Sequence, residues 1–77
     1  MKLEKGKKCF INIKAMKLNK EDEVQGEILG LIGEYARIKY VNPFSQTEVT
    51  EYFSRFTGWS MTENQDEYVT SVVEIIN

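Results

Sequence analysis

Apolar and polar residues alternate most regularly in "YARIKYV" (residues 35–41), where Ala36, Ile38 and Tyr40 share one parity and Arg37 and Lys39 the other. A period of two is the mark of a half-buried strand, so the first set points inward and the second outward. Upstream, "CFINIKAMKL" (9–18) puts Ile11, Ile13 and Ala15 on one face and Phe10, Met16 and Leu18 on the other, as in a strand that is apolar on both sides. "NKEDE" (19–23) reads as a polar turn. "VQGEILGLI" (24–32) carries Val24, Ile28 and Ile32 at one parity and Leu29 and Leu31 at the other. Gly26, Gly30 and Gly33 would each cost a helix roughly 1 kcal/mol relative to Ala, so this stretch is a second strand. It joins the third through a tight turn at Gly33. The first half of the chain is thus a three-stranded antiparallel meander.

The next stretch, "NPFSQTEVTEYFSRFTGW" (42–59), contains two patterns. As a strand, it has Thr47, Val49, Glu51 and Phe53 on one side, after a hairpin around "NPFSQ". As a helix, it has a capping box in Ser45 and Glu48 and a hydrophobic staple in Phe44 and Val49. Val49, Tyr52, Phe53 and Phe56 then fill one arc, and Gly58 stands where a left-handed stop belongs. The tail repeats the ambiguity. Tyr68, Val69, Val72, Val73, Ile75 and Ile76 fill one helical arc, yet most of "YVTSVVEII" is β-branched or aromatic. The four concordant helix signals favour an α+β fold, a three-stranded antiparallel meander followed by two amphipathic helices over 46–57 and 65–76. In that fold Ser45 is the cap, and Phe53 and Phe56 lie in the core. The alternative is all-β, a five-stranded small SH3-like β-barrel.

A chain of 77 residues makes one domain with a small core, and residues 1–8 read as a mobile basic lead-in. Cys9 has no second cysteine to pair with and lies in an apolar strand, which points to a core thiol in a reducing, cytoplasmic setting. No apolar run approaches the roughly 20 residues of a membrane span. Charge is unevenly spread: seven lysines stand against one glutamate over residues 1–20, and six acids against Arg55 over residues 46–77. The chain has no histidine, which excludes histidine general bases and histidine metal ligands. "GEILGLIG" lacks the GK[ST] ending and the G-x-G-x-x-G spacing of phosphate loops, and "EDE" (21–23) lacks EF-hand spacing. The expectation is a protein without catalytic residues, metal or cofactor.

Two kinds of partner follow. Tyr52 and Trp59 lie at the edge of the helical arc and belong to residue types enriched at interfaces. Tyr35, Tyr40, Tyr52, Phe53, Phe56 and Trp59 are also residue types that stack on bases. Base binding needs aromatics interleaved with positive charge, and the sequence places most of these in its acidic half, away from the lysines. "TEVTEYFSRFTGWSMTENQDEYV", following a short meander, resembles the C-terminal part of some small phage-encoded anti-CRISPR proteins that inhibit an RNA-guided nuclease. These place two acidic helices, joined at a Gly-Trp corner, after a β-meander. The likeness covers roughly residues 47–76 and centres on Gly58-Trp59. The chain departs from that family in its lysine-rich start, its missing N-terminal helix and its lower acidity.

The acidic balance of residues 46–77, with which the resemblance agrees, points to a small non-enzymatic inhibitor, encoded by a phage or mobile element, that binds the basic cleft of a host protein. Glu48, Glu51, Glu63, Asp66, Glu67 and Glu74 would form its acidic surface, with Tyr52 and Trp59 as anchors. That reading requires the acids to share one exposed face. The alternative is a small nucleic-acid-binding β-barrel, with Lys5, Lys7, Lys8, Lys14 and Lys17 on phosphates and Tyr35 and Tyr40 stacking on bases.

Overall fold

The computed structural model describes residues 2–61 and 67–76. Five strands are present: β1 (Lys8–Ala15), β2 (Lys20–Ile32), β3 (Tyr35–Asn42), β4 (Thr47–Ser54) and β5 (Tyr68–Ile76). All pairings are antiparallel and the order across the sheet is β4-β3-β2-β1-β5. The described residues contain no helix. The α+β expectation is therefore corrected: β4 and β5 stand where the two amphipathic helices were expected, and the all-β alternative has the right class.

The reason lies in the turn between β3 and β4. Asn42 Oδ1 accepts from the backbone N–H groups of Phe44 (2.9 Å) and Ser45 (3.3 Å), and Gln46 N–H donates to Asn42 O (2.7 Å). Gln46 takes a positive φ of 56°. Asn42 thus organises a hairpin turn, while the Ser45 hydroxyl meets Thr47 Oγ1 at 2.7 Å and caps no helix. Beyond the turn, Thr47, Val49, Glu51 and Phe53 stand opposite Asn42, Tyr40, Ile38 and Ala36, the inward set of β3. Phe53 is fully buried, but Phe56 is 73% exposed, so the expectation that both belong to the core holds for one only. The helical arc was a coincidence of spacing, and cross-strand partners decided the conformation.

Two further features explain the irregular patterns upstream. A bulge between Ile28 and Gly30 shifts the β2–β3 register, so residues before and after Leu29 face inward at opposite parities. The polar run 20–23 is the start of β2, not a turn; it pairs with Ala15–Asn12, and the turn falls at 16–19, where Asn19 has φ 48° and Met16 and Leu18 are exposed. The core gathers Cys9, Ile11, Ile13, Ile28, Ala36, Ile38, Tyr40, Phe53 and Val72. Leu3, from the basic lead-in, joins it at 1% exposure, and Gly6 N–H and Lys7 O both pair with Ile28 at 2.9 Å. Gly26 faces this interior, where a Cβ would lie 2.6 Å from Ile11 Cδ1 and 3.0 Å from Ile38 Cγ2.

The two ends of the sheet are joined by residues 58–61. Phe53 bridges to Ser60, and Trp59 bridges to Ser71. Ser54 N–H donates to Trp59 O (2.8 Å) and Met61 N–H to Tyr52 O (2.7 Å) on the β4 side. Ser60 N–H donates to Thr70 O (3.0 Å) and Val72 N–H to Gly58 O (2.7 Å) on the β5 side. Gly58, at φ 79°, makes the reversal that feeds this segment between the two strands. A small barrel results, closed where β4 and β5 would otherwise present free edges.

Candidate binding surface

Inside the closure sits a carboxylate. Glu51 comes from the inward row of β4, opposite Ile38. Its Oε2 accepts from Ser60 Oγ (2.6 Å) and Thr70 Oγ1 (3.0 Å), and its Oε1 accepts from the Tyr40 hydroxyl. One side chain thus connects β3, β4, the closing segment and β5. Burial, reinforced by the neighbouring carboxylate, pushes the Tyr40 phenol well above the usual tyrosine range, so it remains a neutral donor. That shift is opposite to what a phenolate nucleophile needs. Cys9 is likewise fully buried, and burial pushes its thiol up to about 11. Among the described residues no group of histidine, cysteine, aspartate or glutamate side chains converges as a metal site. This interior holds the barrel together and offers no open reactive group.

The outer face of the same seam is different. Ser60 points inward with Phe53, so its neighbours Trp59 and Met61 point outward by alternation. Across one row of this face, Tyr35 of β3 stands opposite Ser54 of β4, and Trp59 follows on the other side of Ser54. In the next row, Arg37 stands opposite Tyr52, and Met61 follows. The Ser54 hydroxyl is turned away to the backbone N–H groups of Phe56 and Thr57, at 3.2 Å each, which leaves the middle of the face low. Tyr35, Tyr52 and Trp59 surround that spot, and all three are exposed. Ile32, opposite Tyr35, completes a shallow depression with Tyr35, Tyr52 and Met61.

Two cations belong to this face. Arg37 lies between Gly30 and Tyr52, and Lys39, the next outward residue of β3, lies between Glu27 and Thr50. The ion pairs among described residues join Lys2 and Lys7 to Glu4, Lys14 to Glu21, and Lys17 to Glu67, so neither Arg37 nor Lys39 is engaged in one. Arg55 is occupied otherwise: its Nη1 donates to Gly33 O and its backbone N–H to Glu34 O, bracing the β2–β3 turn.

The residues expected to form a site fare unequally. Tyr52 and Trp59 are brought together on one exposed face. Glu48 is exposed on β4 opposite Val41, and Glu74 is exposed on β5 opposite Phe10. Glu51, expected outside, is inside. Glu67 is exposed and paired with Lys17 at 3.3 Å. Glu63 and Asp66 lie outside the described residues. The described acids therefore do not share one exposed face, and β4 and β5 run as strands within the stretch that resembled a pair of acidic helices. Tyr35 is available for stacking, but Tyr40 is buried. Arg37, Ile32 and Met61 were missed. The alternation in "YARIKYV" already placed Arg37 outward, but its position beside Tyr52 depends on the β3–β4 register.

These features define a small closed antiparallel β-barrel carrying an exposed aromatic face edged by free cations. The chain matches no protein-family model, and comparison with curated proteins and with solved structures returns no match. Among the described residues no helix is long and apolar enough to cross a membrane.

Proposed function

We propose that this protein is a small, non-enzymatic nucleic-acid-binding β-barrel that receives unpaired bases on Tyr35, Tyr52 and Trp59. The observation that carries this reading is the interleaving of charge and rings: Arg37 lies beside Tyr52 and is the next outward residue of β3 after Tyr35, within one exposed face. Flat rings accept any base by stacking, at about 1–3 kcal/mol per base, and nearby cations hold the backbone. A duplex hides its base faces, so single strands are the ligand. Tyr40 takes no part, and the lysines of the lead-in and β1 are secondary to Arg37 and Lys39. Cys9 as a buried free thiol accords with a reducing compartment, the cytoplasm.

Docking of a protein on the same face is the second reading, favoured by the net charge of −2 and by the Tyr, Trp, Met and Arg content of the patch. It is the form in which an inhibitor anchored by Tyr52 and Trp59 is retained. Trp59 is the sole tryptophan, so its emission separates the two readings. Short single-stranded DNA and RNA should quench it at low salt. Tyr52→Ala should weaken binding by roughly 5- to 150-fold. Absence of both quenching and binding would transfer the face to a protein partner.

A further inference from the structure

We infer that the aromatic face takes a short unpaired segment of about three nucleotides, its phosphates on Arg37 and Lys39, and that surrounding carboxylates prevent a longer tract from binding. This rests on the nucleic-acid reading and specifies its ligand. Arg37 and Lys39 are successive outward residues of one strand, about 7 Å apart at about 3.4 Å per residue. That interval suits adjacent phosphates of an extended single strand. Both charges are free of ion pairs with described carboxylates; Tyr52 stands beside Arg37, and Tyr35 and Trp59 stand in the adjacent row.

Along β3 the track meets acids at both ends. Before Tyr35 comes exposed Glu34, in the β2–β3 turn. Beyond Lys39 is Val41, with exposed Glu48 opposite; on β2, exposed Glu27 stands between Lys39 and the exposed Lys8 of β1. Further along the outward row of β2 stands exposed Glu23. A third or fourth phosphate would lie among these acids, within a Debye length of about 8 Å at physiological salt. The ligand matching this charge pattern is a loop, bulge or strand end, held by two phosphates and three bases.

The test uses oligothymidylates and oligouridylates of increasing length, with a blunt duplex as comparison, read by Trp59 quenching and by anisotropy over a salt series. Two neutralised phosphates give a slope of log K against log salt near −1.4 for a single strand. Affinity should level off at about three or four nucleotides, and the duplex should not quench Trp59. Glu48→Lys, an exposed change outside the rings, should steepen the slope by about 0.7 and extend the length over which affinity grows. Glu27→Lys should act alike, which guards against a folding defect in either variant. Affinity that keeps rising with length in the unaltered protein, with a slope steeper than about −3, would overturn the short-segment inference and leave the nucleic-acid reading standing. Absence of quenching by every oligonucleotide at low salt would overturn both.

Discussion

Replacing Glu51 by alanine removes a single acceptor that three hydroxyls share. Tyr40, Ser60 and Thr70 reach it from β3, the closing segment and β5. A hydrogen bond to a charged group contributes about 1.5–3 kcal/mol. Three such bonds to one carboxylate are not independent, and the hydroxyls can re-pair in part with water, so simple addition overstates the loss. About 3–5 kcal/mol is the expected cost. A chain of this length has roughly 4–12 kcal/mol of stability in total, so the variant should be close to the limit of folding. Glu51→Gln keeps an acceptor and should lose less, about 1–2 kcal/mol. Glu48→Ala, an exposed acid on the same strand, should change stability by no more than about 0.5 kcal/mol.

Urea unfolding followed by circular dichroism gives these differences. Amide exchange at Ser60 and Val72, whose N–H groups cross the closure, shows where the loss is felt. If Glu51→Ala unfolds at the same urea concentration as Glu48→Ala, the carboxylate does not close the barrel. Glu51 would then return to the exposed acids from which the structure has removed it.

Two other outcomes can be checked on the same material. The Cys9 thiol, held neutral up to about pH 11 in the fold, ionises near 8.5–9 once unfolded, so its contribution is complete below that range and is lost as pH rises towards 11. Stability should fall by up to about 3 kcal/mol over that window, and Cys9→Ala should flatten the slope between pH 8.5 and 10, before Tyr40 begins to titrate; an unchanged slope would show the thiol to be accessible. Phe53→Ala should cost about 3–5 kcal/mol and Phe56→Ala under about 0.5, and equal melting shifts would contradict the inward row assigned to β4.

How far the sequence revealed this arrangement depended on where the deciding information lay. β3 was legible because its partners on both sides leave one face buried and one exposed, which writes a period of two into "YARIKYV". β4 was not, because Val49, Tyr52, Phe53 and Phe56 satisfy both periods, and only Tyr40, Ile38 and Ala36 on the neighbouring strand select between them. β5 was obscured by the register shift opposite Phe10 and Ile11, which puts apolar residues at both parities. The prominence of Tyr52 and Trp59 could be read from residue type alone. The company they keep could not: Arg37 and Tyr35 reach them through strand pairing, and Glu51 leaves the acidic set because Ser60 and Thr70 close over it.

The pairing of β1 with β5 also dictates when the molecule can form. β1 lies between β2 and β5 in the sheet, and Lys8 pairs with Ile76. During synthesis the first strands emerge early and can make their hairpins, but one flank of β1 and the seam beside Trp59 stay open until β5 has left the ribosome. Contacts so distant along the chain are slow to form, and an unpaired β1 edge is exposed in the meantime. A ribosome stalled before Tyr68 would therefore display an adhesive, incomplete sheet. Closure of this barrel is an event that follows translation of β5.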